Sequence, residues 1–423
     1  MLRQAFPIYV ELLTAVVAVS VIDLLWVSGL GAEAIAAVTI ATTTEYLALG
    51  LFLAVATGVT VLVGRRDGRE PVSPVVRTGW LLWAVVSVAV TVPGVLAREP
   101  LAGLFAADAG TAALTAGYYL ISLGGLPVYF AQALADAVVK GKGNTKIPMR
   151  NALICNVLVI ALDPLLIYGL GLGVQGAALA TVLARAVTLA VSLRTLVRLA
   201  PRDAAGWAGG WEIVGTGLPM SGDFLARAVV GMLMVDVVAR FGLAAQAGYG
   251  IGLKIMLAGV MAFYALRQAA MIRTARSEPV GSPLRTGLVA GAVVAVVLNA
   301  VAAPVAAWFT DDPAVAAEAV GFLRWMPLYL VPFGGLIAIG GVLQASGRGS
   351  RVLAATLAGF AAQLPLAYAL SFWLGVTGVW LATAAGAVLS LGALTARRGS
   401  GRSSAPAPAP PATRTAAGRR PGP

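Results

Sequence analysis

The chain is predicted to be an all-α integral membrane protein, with twelve transmembrane helices in two six-helix bundles related by a pseudo-twofold axis along the membrane normal. Three observations carry that expectation. Of 423 residues, 59% are hydrophobic and only 11% charged, too few charges to solvate a soluble surface. Apolar stretches near the roughly 20 residues that cross a bilayer recur along the whole length. Basic residues gather in every second connection between them.

The spans fall at about 7–30, 35–63, 79–97, 112–137, 149–170, 174–200, 213–240, 243–271, 284–309, 316–344, 351–374 and 376–396. Pro93 and Gly94 interrupt the third. The first is too long for a cleavable signal peptide and is interrupted by Glu11 and Asp23. These spans divide into an N-terminal bundle at 1–200, a cytoplasmic linker at 201–212 and a C-terminal bundle at 213–396. Residues 397–423, rich in Ala, Pro, Gly, Ser and Arg, are expected to be a disordered tail.

Charge fixes the orientation. Arg3 precedes the first span. The even-numbered loops hold Arg65, Arg66, Arg69 and Arg77, then Lys140, Lys142, Lys146 and Arg150, then Arg194, Arg198 and Arg202. Arg267, Arg273, Arg276 and Arg285 follow, then Arg348 and Arg351, with further arginines in the tail. The odd-numbered loops hold only Arg98 and Arg240, beside Glu33, Asp108, Asp311 and Asp312. Both termini are therefore expected in the cytoplasm, with the chain a multi-pass protein of the inner membrane. The net charge of +12 reports orientation and not nucleic-acid binding.

No histidine is present, and the one cysteine, Cys155, lies in an apolar span. That excludes intrachain disulfides, metal clusters, c-type haem and Cys–His or Ser–His–Asp catalysis. No metal or organic cofactor is expected. The expected partners are the lipid bilayer and a small organic substrate, with the chain a monomer.

The halves echo each other. FPIYVEL at 6–12 resembles LPMSGDF at 218–224, a proline at the start of a span with an acid four residues on. GVQGAALAT at 173–181 resembles GVTGVWLAT at 375–383, and GKGN at 141–144 resembles GRGS at 347–350. An even number of spans per half makes these parallel repeats.

The most informative stretch is 149–184, where Asp163 and Pro164 sit inside an apolar span. An ionised carboxylate in hydrocarbon costs several kcal/mol, so Asp163 is expected to face a polar cavity, a partner or a proton. Asp23 and Asp163 lie about 16 and 14 residues past the starts of outward-running spans, at Pro7 and Met149. At about 1.5 Å per residue they share one depth, in the outer half of the membrane. Such a carboxylate pair is suited to holding a proton near neutral pH; the bland alternative is a pair that caps broken helices. Pro7 and Pro164 are read either as hinges or as prolines tolerated at a helix end or kink.

Glu45, Arg185 and Lys254 each lie near mid-depth in inward-running spans, where they line a cavity or form a buried charge network. Gln132 and Asp136 are further cavity candidates near the inner end of the fourth span. Asp223 and Arg227, four residues apart, either neutralise each other or contact substrate. Tyr249, Tyr264, Trp325 and Tyr329 are read as interface or packing aromatics.

Together Pro7, VIDLLWVSGLGAEAIAAV at 21–38, KGKGNTKIP at 140–148 and LDPLLIYGLGLGVQGAALATVLA at 162–184 resemble the multidrug and toxic compound extrusion (MATE) family. GLP at 217–219 and ARFGLAAQAGYGIGLKI at 239–255 extend the resemblance into the second half. It is closer to the proton-coupled, DNA-damage-inducible-type branch. The resemblance implies two bundles forming a V around a central cavity, and export of organic, often cationic, compounds in exchange for protons or sodium. In the proton-coupled branch an aspartate on the first helix and one on the fifth form the ion site, and Asp23 and Asp163 stand at those positions. Where the family carries an asparagine four residues before the fifth-helix aspartate, this chain has Val159; Asn156, on the same face, is the candidate substitute. Where sodium-coupled members carry a seventh-helix glutamate, this chain has Arg227, which favours protons. Two rivals stand beside this reading. A lipid-linked precursor flippase of the wider superfamily would need a large cationic cavity, drawing on Arg185, Arg227 and Lys254. A membrane-embedded enzyme would be left with an aspartyl mechanism, and no loop is long enough for a catalytic domain.

Overall fold

In hydrocarbon every backbone N–H and C=O needs an internal partner, so apolar segments this long settle as helices. The computed structural model describes residues 1–106, 108–199 and 205–396. In the first half, α1 (Leu2–Leu12) and α2 (Val19–Val27) make one span, joined by a π-helical stretch, Leu13–Ala18. Then come α3 (Ala32–Arg66), α4 (Ser73–Leu96) and a short α5 (Arg98–Phe105). A pair bent by 42° follows, α6 (Ala109–Gly124) and α7 (Leu126–Gly141). α8 (Lys146–Pro164) runs into a second π-helical stretch, Leu165–Gly169, and α9 (Gly173–Leu199) completes the half. The second half holds α10 (Gly210–Ala239), α11 (Leu243–Ala275) and α12 (Pro283–Phe309). It continues with α13 (Pro313–Trp325), α14 (Pro327–Ala345), α15 (Gly349–Leu374) and α16 (Val376–Ala396).

Among the described residues, 10 stretches are long and apolar enough to cross a membrane, and the bent α6–α7 pair makes 11. α10 supplies the remaining expected span: its 30 residues suffice in length, but Asp223, Arg227 and Asp236 dilute its apolarity. The spans expected to be continuous at 112–137 and 316–344 are each broken, at Gly125 and Met326. Both breaks precede a prolyl segment, Leu126–Pro127 and Pro327, where the ring disfavours helix before it. Conversely, α4 passes through Pro93 unbroken, and the Ala97 N–H still reaches the Pro93 carbonyl at 2.8 Å. α10 starts at Gly210, inside the expected linker, of which 201–204 lie outside the described residues. The expected tail, 397–423, lies outside them too.

Each half has its own core. Phe52 and Phe130 stack at 4.6 Å in the first, and Tyr249, Phe322 and Trp380 interlock in the second, with Tyr249 stacked on Trp380 at 5.2 Å. Backbone geometry repeats between the halves. Gly31 opens α3 at φ 102°, ψ 176°, and Gly242 opens α11 at φ 100°, ψ 171°, a region only glycine enters freely. The turns after α7 and α14 are matched by Gly143 (φ 81°) and Gly347 (φ 74°). The structural correspondence is therefore shifted by two residues from the GKGN–GRGS alignment read in the sequence.

The halves meet on the face that carries Met1 and the basic loops, here the basic face. α3 and α10 cross there on residues spaced by four: Gly50, Ala54 and Gly58 against Ser221, Gly217 and Ile213. A Cβ at Gly217 would lie 1.8 Å from the Ala54 carbonyl oxygen, and one at Gly58 2.0 Å from that of Ile213. The backbones touch, as small-residue spacing permits in membranes. Ser221 Oγ donates to the Gly50 carbonyl at 2.6 Å. Beside them Ala5 and Ile8 pack on Ala265, Leu266, Ala269 and Ile272. Polar contacts rim the seam: Arg276 to Asp67 at 2.5 Å, Arg66 to Glu212 at 3.3 Å, and Arg65 to the Ala345 carbonyl at 2.7 Å. The assembly is closed on the basic face.

Candidate functional site

Asp163 and Asp23 each sit beside a π-helical stretch. Asp163 and Pro164 end α8 just before Leu165–Gly169, and Asp23 lies on α2 beyond Leu13–Ala18. Wide turns of this kind accommodate the donor that proline lacks and recur at functional positions. Tyr168, in the second stretch, donates its hydroxyl to the Trp26 carbonyl at 2.5 Å and ties the fifth span to the first.

Asp163 is 0% exposed and Asp23 2%. The two side chains lie close together, each within electrostatic range of the other. Among the described residues, no donor reaches either oxygen of Asp163, or Oδ1 of Asp23. Glu45 and Arg185 lie within electrostatic range of Asp23, and buried Tyr118 lies near all four. Arg185 stacks 3.7 Å over the Tyr129 ring.

Toward the basic face a cavity of 220 Å³ lies mainly in the first half, lined by Glu11, Gln132, Asp136, Lys140, Asn156 and Arg185 among others, with Met220, Gln268 and Met271 of the second half completing its wall. Asp136 accepts from Gln132 Nε2 at 2.9 Å; Ser192 Oγ accepts from Gln132 at 2.9 Å and from Asn151 at 2.8 Å. Lys140 Nζ donates to Glu11 at 2.6 Å and to Gln268 of the second half at 3.3 Å. A smaller void of 20 Å³ lies between Glu45, Tyr118 and Arg185, groups within electrostatic range of Asp23. Arg185 and Tyr129 line both spaces and so stand between them.

The second half has a separate polar cluster. Asp223, 1% exposed, accepts from Arg267 at 2.7 Å, Arg227 at 3.0 Å and Thr356 at 2.8 Å. Arg227 also lies over the Phe333 ring at 4.9 Å. Asp223 and Arg227 do pair, as their spacing allowed, and Arg267 joins them.

Other residues fall elsewhere. Asn156 lies two turns from Asp163, about 10 Å along the helix. Its Nδ2 donates to the Thr14 carbonyl at 3.1 Å, so it ties α8 to the first π-helical stretch and lines the cavity instead of meeting the aspartates. Lys254 is exposed on α11 and lines neither space. Pro7 lies buried within α1, ahead of the π-helical stretch. Most of the basic residues assigned to loops in the sequence lie in the end turns of helices, and two of them reach buried acids: Lys140, in the last turn of α7, and Arg267, 2% exposed, in α11. Each is the partner of an acid placed four residues after a proline, Glu11 after Pro7 and Asp223 after Pro219. That repeat was legible; the need of each acid for a buried cation is the signal that leads to Lys140 and Arg267. Among the described residues, no group of three or more His, Cys, Asp or Glu side chains is arranged to hold a metal ion.

Comparisons with known proteins agree with this architecture. The FAD transporter of Shewanella oneidensis is 25% identical over 417 residues, covering 90% of each chain. A probable multidrug resistance protein NorM of Thermotoga maritima is 23% identical over 295 residues, 62% of each chain. The bent form of the Vibrio cholerae MATE transporter VcmN superposes with a TM-score of 0.82 at 20% identity, covering 93% of this chain and 94% of that one. At that identity the superposition shows the fold. The MatE family model matches residues 7–165 and 219–369, most of both halves. The chain therefore belongs to the MatE family of multi-pass membrane transporters of small molecules.

Proposed function

We propose that this protein is a secondary antiporter that exports small amphiphilic or cationic organic compounds across the inner membrane in exchange for protons. The observation that carries the reading is the buried Asp23–Asp163 pair, with no donor among the described residues at either oxygen of Asp163 or at Oδ1 of Asp23. A charge at mid-bilayer costs about 2.5–3.5 kcal/mol even on the more lenient scales. Two adjacent carboxylates also repel, so the pair calls for a proton between them. In the second half both Asp223 oxygens are already engaged by Arg227, Arg267 and Thr356, which leaves neither of them free for sodium.

With both termini cytoplasmic, as the basic loops imply, closure of the basic face is closure toward the cytoplasm. Protons then reach Asp23 and Asp163 from outside. Protonation removes negative charge facing Arg185, whose guanidinium is left to the cavity, where it disfavours a bound cation. The π-helical stretches supply slack for the first and fifth spans to bend, with Pro7 and Pro164 as hinges. The halves 1–200 and 213–396 move as two bodies joined by the linker 201–212. The unit is one chain in the bilayer and needs no organic cofactor.

Against the flippase reading stands the cavity, 220 Å³ and lined by both signs of charge, where a large cationic one was required. The relative bearing the name FAD transporter adds FAD to the compounds to be tried. The test is transport in proteoliposomes with a panel of organic cations and FAD, under a pH or a sodium gradient imposed singly. A pH gradient should drive export, and Asp163→Asn should abolish it with normal membrane insertion. Full activity of that variant, or drive by sodium alone, would contradict the proposal.

A further inference from the structure

Gln132, Asp136 and Lys140 recur every fourth residue on α7, so they share one helix face, and all three line the 220 Å³ cavity. Glu11 faces them from the first span, and Asn151 and Asn156 from α8. Among the described residues, five side-chain oxygens of this wall meet no donor: Glu11 Oε2, Gln132 Oε1, Asp136 Oδ1, Asn151 Oδ1 and Asn156 Oδ1. Leaving a buried acceptor unmade costs about 1–3 kcal/mol, so a wall of acceptors favours a cation rich in N–H groups. Asn151, only 2% exposed, donates its Nδ2 to Ser192 Oγ, which leaves its oxygen unpaired.

One such cation is already tethered there. Lys140 Nζ lies 2.6 Å from Glu11 Oε1 and 3.3 Å from Gln268 Oε1, and Gln268 belongs to the opposite half. We propose that this wall binds the ammonium, amidine or guanidinium group of a transported compound, and that Lys140 is its built-in competitor, clasped between Glu11 and Gln268 while the basic face is closed.

The proposal deepens the export reading and rests on it. When the halves part on the basic face, Gln268 withdraws with α11 and Lys140 loses one of its two acceptors. Its flexible stem then swings toward water, and Glu11 and Asp136 receive the compound. Charge balances in that state: Glu11 and Asp136 oppose Arg185 and one ligand cation. On closure Gln268 returns, Lys140 retakes Glu11 and the compound is displaced. The cavity is smaller than the roughly 300–1,000 Å³ usual for small-molecule sites, so it takes one polar end of a larger compound.

The test is calorimetric binding of agmatine, which carries guanidinium and ammonium groups, and of tetraphenylphosphonium, a cation without N–H donors. The purified protein, Lys140→Met, Lys140→Arg and Gln268→Leu are compared. Removing a competing buried charge should tighten agmatine binding about tenfold or more in Lys140→Met. Gln268→Leu should tighten it severalfold, Lys140→Arg should leave it near wild type, and tetraphenylphosphonium should gain less. Unchanged or weaker agmatine binding in both Lys140→Met and Gln268→Leu overturns the proposal, as does its absence from every variant. Tighter binding by Lys140→Met in a protein whose transport ignores the pH gradient would instead sink the export reading and leave the wall standing.

Discussion

Gly217→Ala tests how the two halves meet. A Cβ at this position would lie 1.8 Å from the Ala54 carbonyl oxygen and 2.9 Å from the Gly58 nitrogen, whereas real Cβ contacts do not fall below 3.0 Å. The obstructing atoms are backbone, so no rotamer relieves the clash and α3 and α10 must part. Overpacking of this kind costs about 1–3 kcal/mol. Applied only to the state closed on the basic face, that cost shifts the equilibrium between states by about 5- to 150-fold. Gly215→Ala is the control, because its Cβ would meet only the Trp211 ring, at an ordinary 3.8 Å. Spin labels at Arg69 and Trp211, both exposed near the seam, report the spacing by pulsed dipolar spectroscopy in a background where Cys155 is replaced. Gly217→Ala should add a longer-distance population and slow transport, and the control should do neither. An unchanged distance distribution together with wild-type transport would refute the contact geometry and its role in closure.

Two further outcomes follow from buried and capping carboxylates. Asp223→Asn leaves Arg227 and Arg267 in a sealed site without their counter-charge, and breaking a buried pair in this way costs about 3–5 kcal/mol. The melting temperature in detergent should fall by roughly 6–20 °C, at about 2–4 °C per kcal/mol for a half of this size, and an unchanged melt would contradict it. Outside the membrane, Asp108 caps α6 by accepting from the Thr111 N–H at 2.8 Å and hydroxyl at 2.7 Å, which holds its carboxyl below the usual aspartate range. A depressed carboxylate stabilises above its unfolded value, about 3.9, and that stabilisation is lost as pH falls through the folded value beneath it. Hydrogen exchange at the Thr111 amide should therefore be slower than in Asp108→Ala near neutral pH and equal to it in strong acid; a difference that persists there would be wrong for this cap.

Much of the architecture was legible because bilayer thickness sets span length and because basic loops alternate with acidic ones. The spans at 376–396 and 284–309 coincide with α16 and α12 to within a residue. What apolarity could not show were the breaks in α6–α7 and α13–α14, since Leu126–Pro127 and Met326–Pro327 sit within long, predominantly hydrophobic stretches. Charge counting failed where a cation serves an acid inside the membrane: Arg267 and Lys140 look like loop residues until Asp223 and Glu11 are asked for partners. At the site, the shared depth of Asp23 and Asp163 followed from their spacing along parallel spans. Asn156 did not follow from its helix face alone, because seven residues carry it two turns away, to Thr14.

The central claim, that Asp23 and Asp163 exchange a shared proton against substrate, is tested most directly by counting protons. An indicator dye in weakly buffered detergent solution records those released when a transported compound is added. Wild type should release protons on binding, and Asp23→Asn and Asp163→Asn should bind the compound with little or no release. Equal release from all three proteins would contradict the account.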